Sequence, residues 1–168
     1  MRREGALVQS LHLGERTFRL TRARCDDVPV LVALLRDDVL GSAREQEDLD
    51  PYLRAFDAID ADPAHLLLAV RDEDDVIVGT MQLTLLPGLS RGAATRLQIE
   101  SVRVGPSARG SGLGTALFRW AADYGRSHGA RLAQLTTDKQ RADAHRFYER
   151  LGYVASHEGM KLPLVPND

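Results

Sequence analysis

At 168 residues, with 43% apolar and 27% charged residues, the chain has enough material for one filled core and a composition that excludes disorder. A net charge of -2 without any basic run argues against a nucleic-acid partner, and no stretch reaches transmembrane length. Cys25 is the single cysteine, which excludes an internal disulfide, and five histidines without ligand spacing predict no metal. Together with an N-terminus that lacks a signal-type apolar segment, these features predict a cytoplasmic protein with no membrane association.

Residues 1–16 read as an N-terminal extension, although Leu7, Val8, Leu11 and Leu13 could add a strand; 17–168 read as a single domain. Alternation predicts a first strand over Phe18–Arg22. Asp26 and Asp27 are expected to cap a helix with an apolar face of Val28, Leu31, Leu34 and Leu35. A second helix is expected from Pro51 to Asp60, with Tyr52, Phe56 and Ile59 at helical spacing. His65–Arg71 and Val76–Leu85 then form a hairpin around the polar turn Asp72–Asp75, and Thr95–Val104 is a third long strand.

Arg109-Gly110-Ser111-Gly112-Leu113-Gly114 follows, and an amphipathic helix carrying Leu113, Ala116, Leu117, Trp120, Ala121 and Tyr124 begins there and stops at Gly129. Glycines at a strand-to-helix turn let backbone amides converge on an anion, and the helix start adds unpaired N–H groups and a positive dipole end. The alternative is a plain helix entry. The string lacks the Gly-Lys-Ser/Thr of a P-loop, and its GxGxG spacing departs from the dinucleotide fingerprint. Arg131–Thr137 is a predicted strand, Ala142–Leu151 a helix ended by Gly152, and Tyr153–Leu164 one or two closing strands. The order is β-α-α-β-β-β-α-β-α-β, an α/β arrangement with a mixed sheet.

The glycine string matches the Gln/Arg-x-x-Gly-x-Gly/Ala loop of the GCN5-related N-acetyltransferases (GNAT). Ile99–Pro106 resembles that family's central strand, and Ala144–Tyr153 resembles its Ala-x-x-Phe-Tyr-x-x-x-Gly-Phe helix signature. The chain therefore resembles a GNAT small-amine acetyltransferase over nearly all of its length beyond residue 16, and the stretch from Thr137 to Tyr153 resembles aminoalkylphosphonate acetyltransferases. The resemblance implies the acyl-CoA N-acyltransferase fold: a central, mostly antiparallel, splayed sheet flanked by about four helices. It further implies acetyl-CoA as co-substrate, a primary amine of a small molecule as acceptor, direct attack in a ternary complex, and a homodimer.

Carried over position by position, the resemblance places the CoA pyrophosphate on Arg109, Gly110, Ser111, Gly112, Leu113, Gly114 and Thr115. It pairs the pantetheine with Val102, Arg103 and Val104. Arg141 stands where the family has Asn, six residues before Phe147; a cation there can meet a CoA phosphate or the pantetheine region. Tyr148 is the implied acid for the leaving thiolate, although Ala144, Phe147, Tyr148 and Leu151 also form one helical stripe that would suit a core. Glu100 is the candidate base, with a solvated strand acid as the alternative; a bulge could instead turn Ser101 inward. Eleven acids from Asp26 to Asp62, against Arg36, Arg44 and Arg54, suggest an acidic acceptor pocket that attracts a cationic amine, or simply solvated helix faces. Protein acetylation and a non-catalytic acyl-CoA sensor are the other functions open to such a chain.

Overall fold

The computed structural model describes residues 5–37 and 45–164; Asp38 and Arg44 of the acidic stretch lie outside them. Two compact units divide at Gln134 and Leu135. The first holds a six-stranded sheet whose strands lie side by side in chain order. These are β1 (Leu7–Leu13), β2 (Arg16–Arg22), β3 (His65–Arg71), β4 (Ile77–Leu86), β5 (Thr95–Val104) and β6 (Ala130–Gln134). All neighbours are antiparallel except β5 and β6. Residues 7–13, read above as part of an extension, pair with β2 as the edge strand.

The longer helices of this unit among the described residues are α1 (Val28–Arg36), α2 (Asp50–Ala61) and α3 (Leu113–Ser127). Asp27 does not cap α1 through its side chain. Its carboxylate accepts the Arg24 amide at 3.0 Å and the Arg71 guanidinium at 2.7 Å, so the acid ties the first short helical turn to β3 instead. The β3–β4 turn is held by Asp72, whose Oδ1 accepts the amides of Asp74 and Val76 at 3.1 and 2.9 Å. After β4, residues 90–93 form one irregular turn in which Arg91 and Gly92 are left-handed.

The strict two-residue alternation divides the core between the two sheet faces. Leu20, Leu68, Val70, Met81, Leu83, Leu97 and Ile99 are buried on one face. There α3 lies close enough that a Cβ on Gly125 would meet Leu97 Cδ2 at 3.1 Å. Leu113, Leu117 and Ala121 of α3 complete that layer with 1% exposure or less. On the other face Ala69 packs with Val28, Leu31, Val32 and Phe56 of α1 and α2. Leu117 is fully enclosed, so Leu117→Ala is expected to cost about 2–5 kcal/mol of unfolding free energy, read from the denaturant midpoint.

The second unit contains α4 (Ala142–Arg150). Gly152 (φ 89°) ends it, its amide reaching Glu149 O at 2.9 Å. The expected closing strands are not found: among the described residues 153–164 there is no strand, and Val154, Met160, Leu162 and Leu164 are 80–95% exposed. Local sequence alone does not make a strand, because a strand needs a partner ladder.

Candidate functional site

The loop between β5 and α3 is shaped by three local conformations. Gly105 ends β5 with its amide on Val78 O at 2.7 Å, and a short helical turn over Pro106–Ala108 redirects the chain. Gly110 (φ 78°) and Gly112 (φ 83°) are both left-handed, and a Cβ at either would meet no protein atom within 4 Å. Backbone conformation and open space, not a neighbouring side chain, therefore account for glycine here. Ser111 braces the turn: its hydroxyl donates to Ala108 O at 2.7 Å and accepts the Leu113 amide at 3.3 Å. Gly112 is the N-cap of α3, so the amides of Gly114 and Thr115 fall in the first turn, where a helix offers no internal acceptor. This end of α3 therefore presents first-turn N–H groups at a positive dipole end.

Arg109 lies beside it, exposed and oriented from two directions. Its Nε donates to Val104 O at 3.1 Å and its Nη2 to Asp37 Oδ2 at 2.6 Å. Because the Asp37 pair is solvent-exposed, it is worth only about 0–1 kcal/mol and yields readily to a stronger anion.

The β5–β6 ladder stops at Gln98. Beyond it, Ile99–Val104 carries β4 on one edge and, among the described residues, no strand on the other. Since the Gly105 amide points to β4, alternation turns the backbone groups of Val102 and Val104 toward the open edge. Their carbonyls accept from Arg103 Nη1 at 2.8 Å and Arg109 Nε at 3.1 Å.

A bulge sits at the centre of this edge. Between Thr80↔Arg103 and Gln82↔Glu100, β5 has one residue more than β4, and Ser101 takes a left-handed φ of 53°. Such a conformation costs a non-glycine residue about 1–3 kcal/mol and clusters at functional sites. Glu100, in register with Gln82, is exposed on the sheet face that carries α1 and α2. Ser101 turns into a cavity of about 190 Å³ on that same face, so the inward role of Ser101 left open by the sequence is realised.

That cavity is walled by Val28, Leu31, Val32 and Leu35 of α1 and by Tyr52, Ala55, Phe56 and Ile59 of α2, over Leu67, Thr80, Gln82 and Ser101. Among the described residues no acid lines it, which favours solvated helix faces over an acidic acceptor pocket. The carboxylates have other partners: Asp27 holds Arg71, Asp37 holds Arg109, Asp60 lies 4.0 Å from Arg22, and Glu45 accepts the Tyr52 hydroxyl proton at 2.7 Å. Burial, and then Glu45, raise the Tyr52 hydroxyl above its ordinary range, so it stays a donor. Sequence reasoning missed Tyr52, Thr80 and Gln82, whose spacing signals only a buried face. A larger groove of about 590 Å³ between β1 and α3 includes Gly112, Thr115, Arg119 and Trp120.

In the second unit, Arg141 is the N-cap of α4 and its carbonyl accepts the His145 amide at 3.1 Å. Phe147 and Tyr148 meet edge to face at 5.4 Å, and Tyr148 meets Tyr153 likewise at 6.0 Å. Burial, and then Tyr148, raise the hydroxyl of Tyr153.

A glycine-rich turn opening α3 and a β5 edge without a strand beside it are the elements that the resemblance led one to expect, and the family comparison agrees. Residues 28–153 match the model of the acetyltransferase (GNAT) family. The chain belongs to the GNAT family of acetyltransferases. Among relatives of this GNAT protein, the aminoalkylphosphonate N-acetyltransferase of Salmonella typhimurium is 33% identical over 139 residues, 82% of this chain and 86% of the relative. The glucosamine 6-phosphate N-acetyltransferase of Trypanosoma brucei brucei is 38% identical over 88 residues, 52% of this chain and 58% of the relative. A solved structure described as a transcriptional regulator from Bacillus halodurans C-125 superposes with a TM-score of 0.81 at 41% identity, covering 88% of this chain and 99% of its own. No helix among the described residues is long and apolar enough to cross a membrane.

Proposed function

We propose that this GNAT acetyltransferase moves the acetyl group of acetyl-CoA to the primary amine of a small molecule in one ternary complex. The observation that carries the reading is the left-handed glycine pair at the head of α3, next to the open edge of β5. A diphosphate suits the first-turn amides and Arg109, where it competes with Asp37 for the guanidinium. The extended pantetheine suits the strand-free edge of β5 at Val102, Arg103 and Val104, in the manner of an added strand, where it would displace the arginine contacts to the Val102 and Val104 carbonyls. Arg141 adds a cation for the same donor. These residues fit acetyl-CoA, which supplies an activated acyl thioester; the protein orients it and handles the protons.

In the proposed reaction the neutral amine attacks the thioester carbonyl carbon, and the C–N bond forms as the C–S bond breaks. Glu100 receives the ammonium proton, directly or through water, and Tyr148 protonates the leaving thiolate. The bulge at Ser101 supports the placement, because it turns strand groups toward the α1–α2 cavity where an acceptor amine would enter. Both relatives named above have substrates that combine an amine with an anionic phosphorus group, which supports a small-molecule acceptor over a protein lysine.

The test is thiol release from acetyl-CoA over a panel of small amines and a lysine peptide. Turnover with a small amine and not with the peptide supports the reading; acetyl-CoA binding without release for any acceptor would make the protein a sensor. Glu100→Gln is expected to lower kcat/KM about 100-fold near neutral pH and to remove the acidic limb of its pH profile. An acidic limb that survives in the variant assigns the base elsewhere.

A further inference from the structure

Four polar residues line the 190 Å³ cavity under α1 and α2, and two of them have their side chains engaged. Tyr52 donates its hydroxyl proton to Glu45 and accepts the Gln46 amide at 2.8 Å, and the buried Thr80 hydroxyl donates to Leu68 O at 2.9 Å. Gln82 and Ser101 differ. Among the described residues, the Gln82 carboxamide and the Ser101 hydroxyl find no hydrogen-bond partner, and both residues are half-buried and open to the cavity. Strand geometry brings them together. Gln82 is the register partner of Glu100, and because Ser101 and Val102 oppose the single Met81, alternation breaks and Ser101 follows Glu100 onto the α1–α2 face. The rest of the lining is apolar, and a few convergent polar groups in such walls fix how a ligand is oriented.

We infer that Gln82 and Ser101 hold the acceptor nitrogen, Gln82 Oε1 and Ser101 Oγ each accepting one N–H while the third hydrogen of the ammonium faces Glu100, directly or through water. This rests on the acetyl-transfer reading above and adds to it the residues that select a primary amine. A carboxamide carbonyl and a hydroxyl both accept hydrogen bonds, so with the carboxylate they make three acceptors for three hydrogens. When Glu100 takes its proton, the nitrogen keeps two held hydrogens and gains the lone pair that attacks the thioester carbon. A secondary amine forfeits one of these contacts.

The test measures kcat/KM for 2-aminoethylphosphonate and for its N-methyl derivative with wild type, Gln82→Met and Ser101→Gly. Methionine keeps the length of the glutamine side chain without its polar atoms, and glycine removes the hydroxyl while accepting the left-handed φ of 53°, so neither denaturant midpoint should fall. Wild type should favour the primary amine about 10-fold or more, the worth of one hydrogen bond to a charged group. Each variant should lose about 10-fold in kcat/KM for the primary amine, through the KM of the amine and not that of acetyl-CoA, and should shrink the preference over the N-methyl compound. The acidic limb of the pH profile should persist in both. Wild type without the preference, variants that keep the wild-type kcat/KM, or a loss confined to kcat overturns the inference while leaving acetyl transfer intact. Binding of 2-aminoethylphosphonate beside CoA, which has no acyl group to transfer, followed by NMR line shifts, gives a readout independent of transfer. Saturable shifts that both variants weaken support the amine site even if no amine is acetylated, and shifts that are absent in wild type or unchanged in the variants refute it.

Discussion

Tyr148→Phe is expected to lower kcat by about 10²- to 10⁴-fold, the range for loss of a general acid, with little change in the affinity for acetyl-CoA. The substitution removes one oxygen and keeps the ring, so the edge-to-face contacts with Phe147 and Tyr153 persist and stability should move little. Tyr153→Phe is the matched control, since it removes a hydroxyl from the neighbouring ring. An acid role predicts loss in Tyr148→Phe alone, and recovery of its rate with an acetyl thioester whose thiol is more acidic and leaves without protonation. Equal losses in both variants would mean that the tyrosines serve only the packing of the second unit.

The second large effect lies in the glycine turn. Gly112→Ala is expected to cost about 1–2 kcal/mol of stability through its φ of 83°, which a Cβ disfavours. It should also weaken acetyl-CoA about tenfold or more, because the added methyl enters the open space before the first amides of α3 that we propose for a CoA phosphate. Gly129→Ala separates the two effects. Gly129 is also left-handed (φ 78°) and also has nothing within 4 Å of its Cβ position, but it follows the other end of α3. It should share the stability loss and not the binding loss. Calorimetric titration with acetyl-CoA beside denaturant melts of the three proteins reads both quantities.

Much of the fold was legible because local signals and burial agree. Thr95–Val104 emerged as a strand with the observed bounds, and Leu113, Leu117 and Ala121 of the expected stripe are buried together with Phe118 and Gly125, while Ala116, Trp120 and Tyr124 are half-buried. The glycine loop was legible because its requirement is a backbone one, and only glycine takes a left-handed φ at positions 110 and 112 without strain. The failures share a different cause. The strands expected over Tyr153–Leu164 are not formed, because a ladder requires a neighbour that no local pattern encodes. Asp27, Asp37 and Glu45 were counted by position in the chain, whereas their direction is set by Arg71, Arg109 and Tyr52, which lie 44, 72 and 7 residues away in sequence. The bulge at Ser101 depends on a one-residue mismatch with β4, a property of a strand pair rather than of either strand.

Direct transfer in a ternary complex is the central claim, and rapid-quench measurement of thiol release tests it most directly. Enzyme mixed with acetyl-CoA alone should release no thiol, and addition of 2-aminoethylphosphonate should start steady release matched one to one by acetylated amine. A burst of thiol equal to the enzyme concentration before any amine is added would instead reveal an acetyl-enzyme intermediate, and would contradict the account.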